Sequence, residues 1–156
     1  MQQDVISNLG RGSYVLTLHL KNSRVISIGK LGEYSFSAGF YAYVGSAFGP
    51  GGLTARLNHH LFSSAASRWH IDYLRRHASI EEVWLSQMEA CREHLWAAAL
   101  NKLNTSGCHF KNFGCSDCEC FTHLFHFRQP PPLQKFKKLI ETKSEHGHQL
   151  QRIVLQ

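Results

Sequence analysis

Residues 40–61 read FYAYVGSAFGPGGLTARLNHHL, and the way this stretch changes character decides the fold. Phe40 to Val44 alternate and are rich in aromatic and β-branched types, the pattern of a half-buried strand, and Gly45-Ser46 are expected to end it. Gly49-Pro50-Gly51-Gly52 must be a loop, because the proline removes a backbone donor and the glycines raise the entropy of ordering. A helix restarts near Leu53. Arg56 and His60, one helical turn apart, share a face of it, and Leu53, Leu57 and Leu61 share a neighbouring one. The polar face carrying Arg56 and His60 should look toward whatever Tyr41 or Tyr43 also faces.

Upstream, Gly12 to Leu20 (GSYVLTLHL) sets Tyr14, Leu16, Leu18 and Leu20 on one side and Val15, Thr17 and His19 on the other, a first strand. Lys21-Asn22-Ser23 is a polar turn and Arg24 to Ile28 resumes a strand-like pattern, which predicts a hairpin; Glu33 to Phe36 reads as a short further strand. Downstream, Ile71 and Leu74 mark a helix after Trp69, Ile80 to Leu85 suits a short strand, and Met88 to Leu103 reads as an alanine-rich helix buried along Leu95, Ala99 and Leu103. On that helix Glu89 and Glu93 would share a face. Asp72, among basic residues at a helix start, is expected to pair with Arg68, Arg75, Arg76 or His70 while Trp69 packs in the core. The fold class is therefore α/β of the α+β type: a small antiparallel sheet of three or more strands flanked by helices.

The chain has 156 residues, of which 43% are hydrophobic and 12% aromatic, enough for one domain with its own core. A formal net charge of +6, with eleven histidines besides, favours an anionic partner. No apolar run reaches the ~18 residues of a spanning helix and no export signal is visible, so a cytoplasmic protein without a membrane role is expected. The domain should run over residues 1–128. Gln129-Pro130-Pro131-Pro132 then leads into a basic tail, 129–156, where Leu133, Phe136 and Ile140 recur at helical spacing among Lys135, Lys137, Lys138 and Lys143. Its lysines suit phosphates, or its apolar stripe docks on the body and leaves them solvated. Cys115, Cys118, Cys120 and His123 fall within nine residues, donors that zinc uses, but the tight Cys118-x-Cys120 step and the lack of a second paired cluster favour a packed turn leading into the strand Leu124–Phe127.

Gly12-Ser13-Tyr14, then Tyr43-Val44-Gly45, Arg56 and His60 resemble the signature of the GIY-YIG nuclease superfamily. Adding Lys30-Leu31-Gly32, YVGSAFGPGGLTARLNHHL, Trp69-His70-Ile71-Asp72-Tyr73-Leu74 and FGCSDCECFTHLF, the chain is similar to the branch called domain of unknown function 123, from about Gly12 to Phe127. The two tyrosine motifs lie further apart than is usual there, so residues 21–39 would be an insertion or an extended hairpin.

The resemblance implies a metal-dependent endonuclease hydrolysing phosphodiester bonds in DNA, including branched or damaged structures. It implies Tyr14 or Tyr43 as base or water-orienting hydroxyl, Arg56 on the phosphoryl oxygens, His60 as auxiliary base or phosphate ligand, and Glu93 as the ligand of Mg²⁺ or Mn²⁺. Lys30, Gly45, Ser46, Gly52 and His70 are expected at the nucleic acid, with the loop glycines and the helix start near Leu53 offering backbone N–H groups to a phosphate. A tyrosine of ordinary pKa near ~10 is a poor base at neutral pH, so Arg56 and the cation would have to favour phenolate. The other function class is a nucleic-acid-binding module that keeps this scaffold without cleaving.

Overall fold

The computed structural model describes residues 2–64, 67–104, 106, 110–115, 120–141 and 149–155. Strand β1 (Gly12–Leu20) is the axis of the fold. It pairs antiparallel with β4 (Gly39–Ala47) on one edge and β5 (Ser79–Gln87) on the other. With β6 (Leu124–Phe127) beside β4 and β7 (Gln151–Val154) beside β5, the sheet runs β6-β4-β1-β5-β7, antiparallel throughout. A short helix α1 (Gln2–Val5) precedes it.

The alternation in β1 sends Tyr14, Leu16, Leu18 and Leu20 into one apolar cluster and Val15 into another, so both faces of the sheet are covered. The first face packs against α2 (Gly52–Phe62) through Leu53 and Leu57 and against α3 (His70–Arg75) through Ile71 and Leu74. The second packs against α4 (Glu93–Leu103) and α5 (Leu133–Ile140). Phe136 of α5 is fully buried, with its ring edge-on to Trp96 at 5.5 Å and tilted against Trp84 at 5.3 Å. Burying such a ring stabilises by about 1.5–3 kcal/mol. The segment read as Pro-rich turn and basic tail thus supplies a packed helix and an edge strand, while Lys135, Lys137 and Lys138 stay exposed. Lys143 lies outside the described residues.

Three local expectations are corrected. Strand β2 (Arg24–Ser27) does not form a hairpin with β1; both edges of β1 are taken, and β2 pairs with β3 (Glu33–Phe36) in a separate two-stranded sheet. Within residues 21–39, β2 and β3 thus form a hairpin of their own, with a 3-10 turn at Gly29–Leu31. Gly45 and Ser46 do not end β4: they pair with Tyr14 and Ser13 and the ladder runs on to Ala47. Helix α4 begins at Glu93 rather than Met88, because Met88 N–H bonds to Arg11 O and its side chain is buried, prolonging the strand's path. Glu89 is exposed ahead of α4 and shares no helical face with Glu93. On α4 the buried positions are Trp96, Ala97, Ala99 and Leu100, with Leu95 and Leu103 only partly covered. Among the described residues no helix is long and apolar enough to cross a membrane.

Candidate functional site

Tyr14 and Tyr43 lie two residues out of register on neighbouring strands and so on one face of the sheet, Tyr14 opposite Gly45 and Tyr43 opposite Leu16. Gly45 has no side chain for a reason the register makes plain: a Cβ there would sit 2.3 Å from the Tyr14 hydroxyl oxygen. The phenol uses that space to reach α2, where Tyr14 Oη and His60 Nε2 are 2.8 Å apart. Neither side chain reaches solvent. His60 Nδ1 stands 3.7 Å from Asp72 Oδ1, and His59 Nε2 stands 3.0 Å from Asp72 Oδ2.

Asp72 is held from several sides. Its Oδ2 accepts the backbone N–H groups of Arg68 (2.8 Å) and Trp69 (2.9 Å), and Arg75 Nε donates to Oδ1 at 3.3 Å. Arg75 also donates to His60 O (3.0 Å) and Ser63 O (2.7 Å), tying the end of α2 to α3. The sequence reading of Asp72 as a helix-start partner is met by Arg75 and the Arg68 backbone. What it lacked is the second face of the carboxylate, aimed at both histidines.

Burial drives the protonation states. It raises the Tyr14 pKa well above the ordinary phenol value, against the guanidinium of Arg56. Tyr43 is raised too, by burial first and then by the neighbouring Tyr14 and Glu93. His60 is lowered by burial despite the nearby Asp72 carboxylate. Burial alone would raise Asp72, but the nearby His60 imidazole and the hydrogen bonds from Trp69 N–H, His59 and Arg68 N–H outweigh it and hold the carboxylate far below its usual range. The line Tyr14–His60–Asp72 therefore rests as neutral phenol, neutral imidazole and carboxylate.

In front of this line opens a polar cleft of about 400 Å³. Tyr43, Gly45, Ser46, Arg56, His70 and Glu93 line it, together with Arg68, Trp69 and His123. The Arg56 guanidinium lies 4.2 Å from the centre of the Trp69 ring, with Arg68 at 5.0 Å, so Trp69, partly buried against the core as expected, is also a stacking platform. Glu93 comes from the opposite layer: as the first residue of α4 it reaches past the end of β4. There Ser46 Oγ donates to Oε2 at 3.0 Å and His123 Nδ1 lies 3.0 Å from Oε1. Burial pushes its pKa up, His123 and Ser46 pull it down further, and the net shift is downward, so the carboxylate is ionised at neutral pH. His70 Nδ1 accepts the Gly114 N–H at 2.9 Å, and burial lowers its pKa.

The site residues inferred from sequence thus divide. Tyr43, Arg56, Glu93, Gly45, Ser46 and His70 share the cleft wall, and Tyr14 and His60 lie buried behind it. Lys30, exposed in the 3-10 turn, and Gly52 do not line the cleft. Gly52, at positive φ, serves packing: a Cβ would meet Gly10 O at 2.6 Å. At the start of α2, where a phosphate was expected, Gly52 N–H is spent on Gly49 O, Leu53 N–H on Gly10 O and Ala55 N–H on Gly51 O. Cys115 is buried with Sγ donating to Phe113 O at 3.4 Å, and Cys118 lies outside the described residues. The roles of Arg68, Trp69 and His123 had no spacing signal, because each depends on helices and strands from different layers meeting at one edge.

The family profile described as Domain of unknown function DUF123 matches residues 13–145. No curated protein and no solved structure shows a match to this chain.

Proposed function

The chain belongs to the family described as Domain of unknown function DUF123, and from that premise we propose that it is a GIY-YIG-type, metal-dependent endonuclease of the cytoplasm that hydrolyses phosphodiester bonds in DNA. The observation that carries the reading is the convergence of Tyr43, Arg56 and Glu93, from a strand and from helices on opposite faces of the sheet, on one polar cleft backed by the Tyr14–His60 pair.

Phosphodiester hydrolysis needs an oriented water, a proton acceptor and positive charge where the transition state gathers negative charge. Arg56, stacked on Trp69, supplies a fixed planar cation for the phosphoryl oxygens. As Tyr14 takes a proton from the attacking water, neutral His60 receives the phenol's own proton through the 2.8 Å contact, and the Asp72 carboxylate stabilises the imidazolium that results. Tyr43, facing the cleft, orients the attacking water. Glu93 is ionised, partly open, hydrogen-bonded by Ser46 on Oε2 and close to His123 Nδ1 on Oε1, which fits a hard cation that takes few protein carboxylates and fills its shell with water and phosphate. Bound there, Mg²⁺ or Mn²⁺ supplies charge stabilisation to the transition state. The positive net charge and the exposed lysines of α5 suit a nucleic-acid partner.

One observation favours the non-cleaving binding module: the Tyr14 hydroxyl is wholly buried, which opposes phenolate. A panel of single-stranded, duplex, flapped and branched DNA with Mg²⁺ or Mn²⁺ decides between them. Metal-dependent product from at least one substrate, lost in Glu93→Gln, supports the enzyme; binding without product from any substrate supports the module.

A further inference from the structure

Next to Glu93, at the rim of the same cleft, a cluster of donors gathers whose His94 and Cys120 the phosphodiester chemistry does not use. His94, in the first turn of α4, places Nδ1 2.9 Å from Cys120 Sγ. His94, Cys120 and His123 each offer a donor atom, all within 4.8 Å of one another. They meet because β6 pairs with β4 while α4 packs across that same face, so the segment entering β6 passes the start of α4. Two backbone bonds, Asn112 N–H to Phe121 O and His123 N–H to Phe113 O, hold that segment in place.

We infer that His94, Cys120 and His123 form a binding site for a soft divalent cation of the zinc class, with solvent in the fourth position. Two imidazoles and a thiolate suit zinc-like ions and are poor ligands for Mg²⁺. Tetrahedral zinc with such ligands sets neighbouring donors roughly 3.5 Å apart, a spacing that small side-chain rotations give a cluster whose donors already lie within 4.8 Å. His94 is exposed and Cys120 half-buried, which gives the ion a path in and leaves room for water. His123 is buried, with Nδ1 3.0 Å from the Glu93 carboxylate. Coordination through its Nε2 keeps that contact and makes the carboxylate-backed imidazole common at metal centres. Binding converts the Cys120 thiol to a metal-bound thiolate and releases its proton to solvent. This donor set differs from the one the sequence offered: Cys115 stays on Phe113 O, and the missing partner comes from α4.

The test uses the full-length protein stripped with chelator, then titrated with Zn²⁺ or Co²⁺ in excess Mg²⁺, and does not depend on any cleavage activity. The expected result is one ion per chain by elemental analysis, a thiolate-to-Co²⁺ charge-transfer band, and its loss in Cys120→Ser and weakening in His94→Ala but not in Cys91→Ser. If Cys120→Ser fails to fold, alkylation of the wild type mapped by mass spectrometry replaces it, Zn²⁺ being expected to protect Cys120 at least tenfold over exposed Cys91. Substoichiometric metal, a band that survives Cys120→Ser, or equal protection of both thiols overturns the inference.

Discussion

Tyr14 Oη and His60 Nε2 are 2.8 Å apart, and both side chains are buried, next to Gly45 and the Trp69 ring. A base partner placed inside the core, behind the cleft wall, ties stability and chemistry to the same contact. Tyr14→Phe should leave His60 Nε2 buried without its partner and cost about 1–3 kcal/mol in urea unfolding. Cleavage should fall by about 10²-fold or more, and DNA affinity measured by anisotropy should stay near wild type.

The lowered pKa of His60 sets a pH window. Its folded value lies below the ordinary 6.5, so as pH drops from 6.5 toward that value the unfolded chain binds a proton that the folded chain refuses. Stability from this group is complete above about 6.5 and is lost as pH falls through the folded value. His70 and His77 shift in the same direction, so the expected outcome is a difference: His60→Gln shows a shallower loss of stability between pH 6.5 and 5 than wild type.

Gly45→Ala tests the register. An added Cβ would lie 2.3 Å from the Tyr14 hydroxyl, and β4 has β1 on one side and β6 on the other to resist its retreat. Destabilisation of about 1–3 kcal/mol is expected from overpacking. The double variant with Tyr14→Phe should recover only a small part of it, because ring carbon atoms of Tyr14 crowd the same space.

Much of this was legible in the sequence, and the failures share a cause. Period-two alternation located β1, and one-turn spacing put Arg56 and His60 on one face of α2. Local signals failed where a neighbour overrode them. Gly45-Ser46 reads as a strand end, yet β1 holds it in the ladder; Met88 reads as helix, yet its N–H belongs to Arg11 O. The pairing of Glu93 with Ser46 and His123 joins residues far apart in the chain through packing of layers, and that of Asp72 with both histidines depends on how α3 turns back against α2, which local periodicity does not show.

The lysines of α5 should act on binding alone. Lys135, Lys137 and Lys138 are exposed around the buried Phe136. Neutralising all three is expected to weaken DNA binding across sequences and to reduce the salt slope by roughly one for each phosphate that a lysine no longer neutralises, with the rate at saturating DNA nearly unchanged. Salt titrations of wild type and variant give the slope.

Arg56 provides the most direct test of the nuclease proposal, because its guanidinium, stacked 4.2 Å from the Trp69 ring centre in the cleft wall, is assigned to charge that develops in the transition state. The measurement is single-turnover cleavage by wild type and Arg56→Ala of whichever DNA the panel identifies, with affinity determined in parallel. The account predicts a rate at least ~10²-fold lower at nearly unchanged affinity. Affinity falling in step with rate, or no metal-dependent product from wild type, would contradict it.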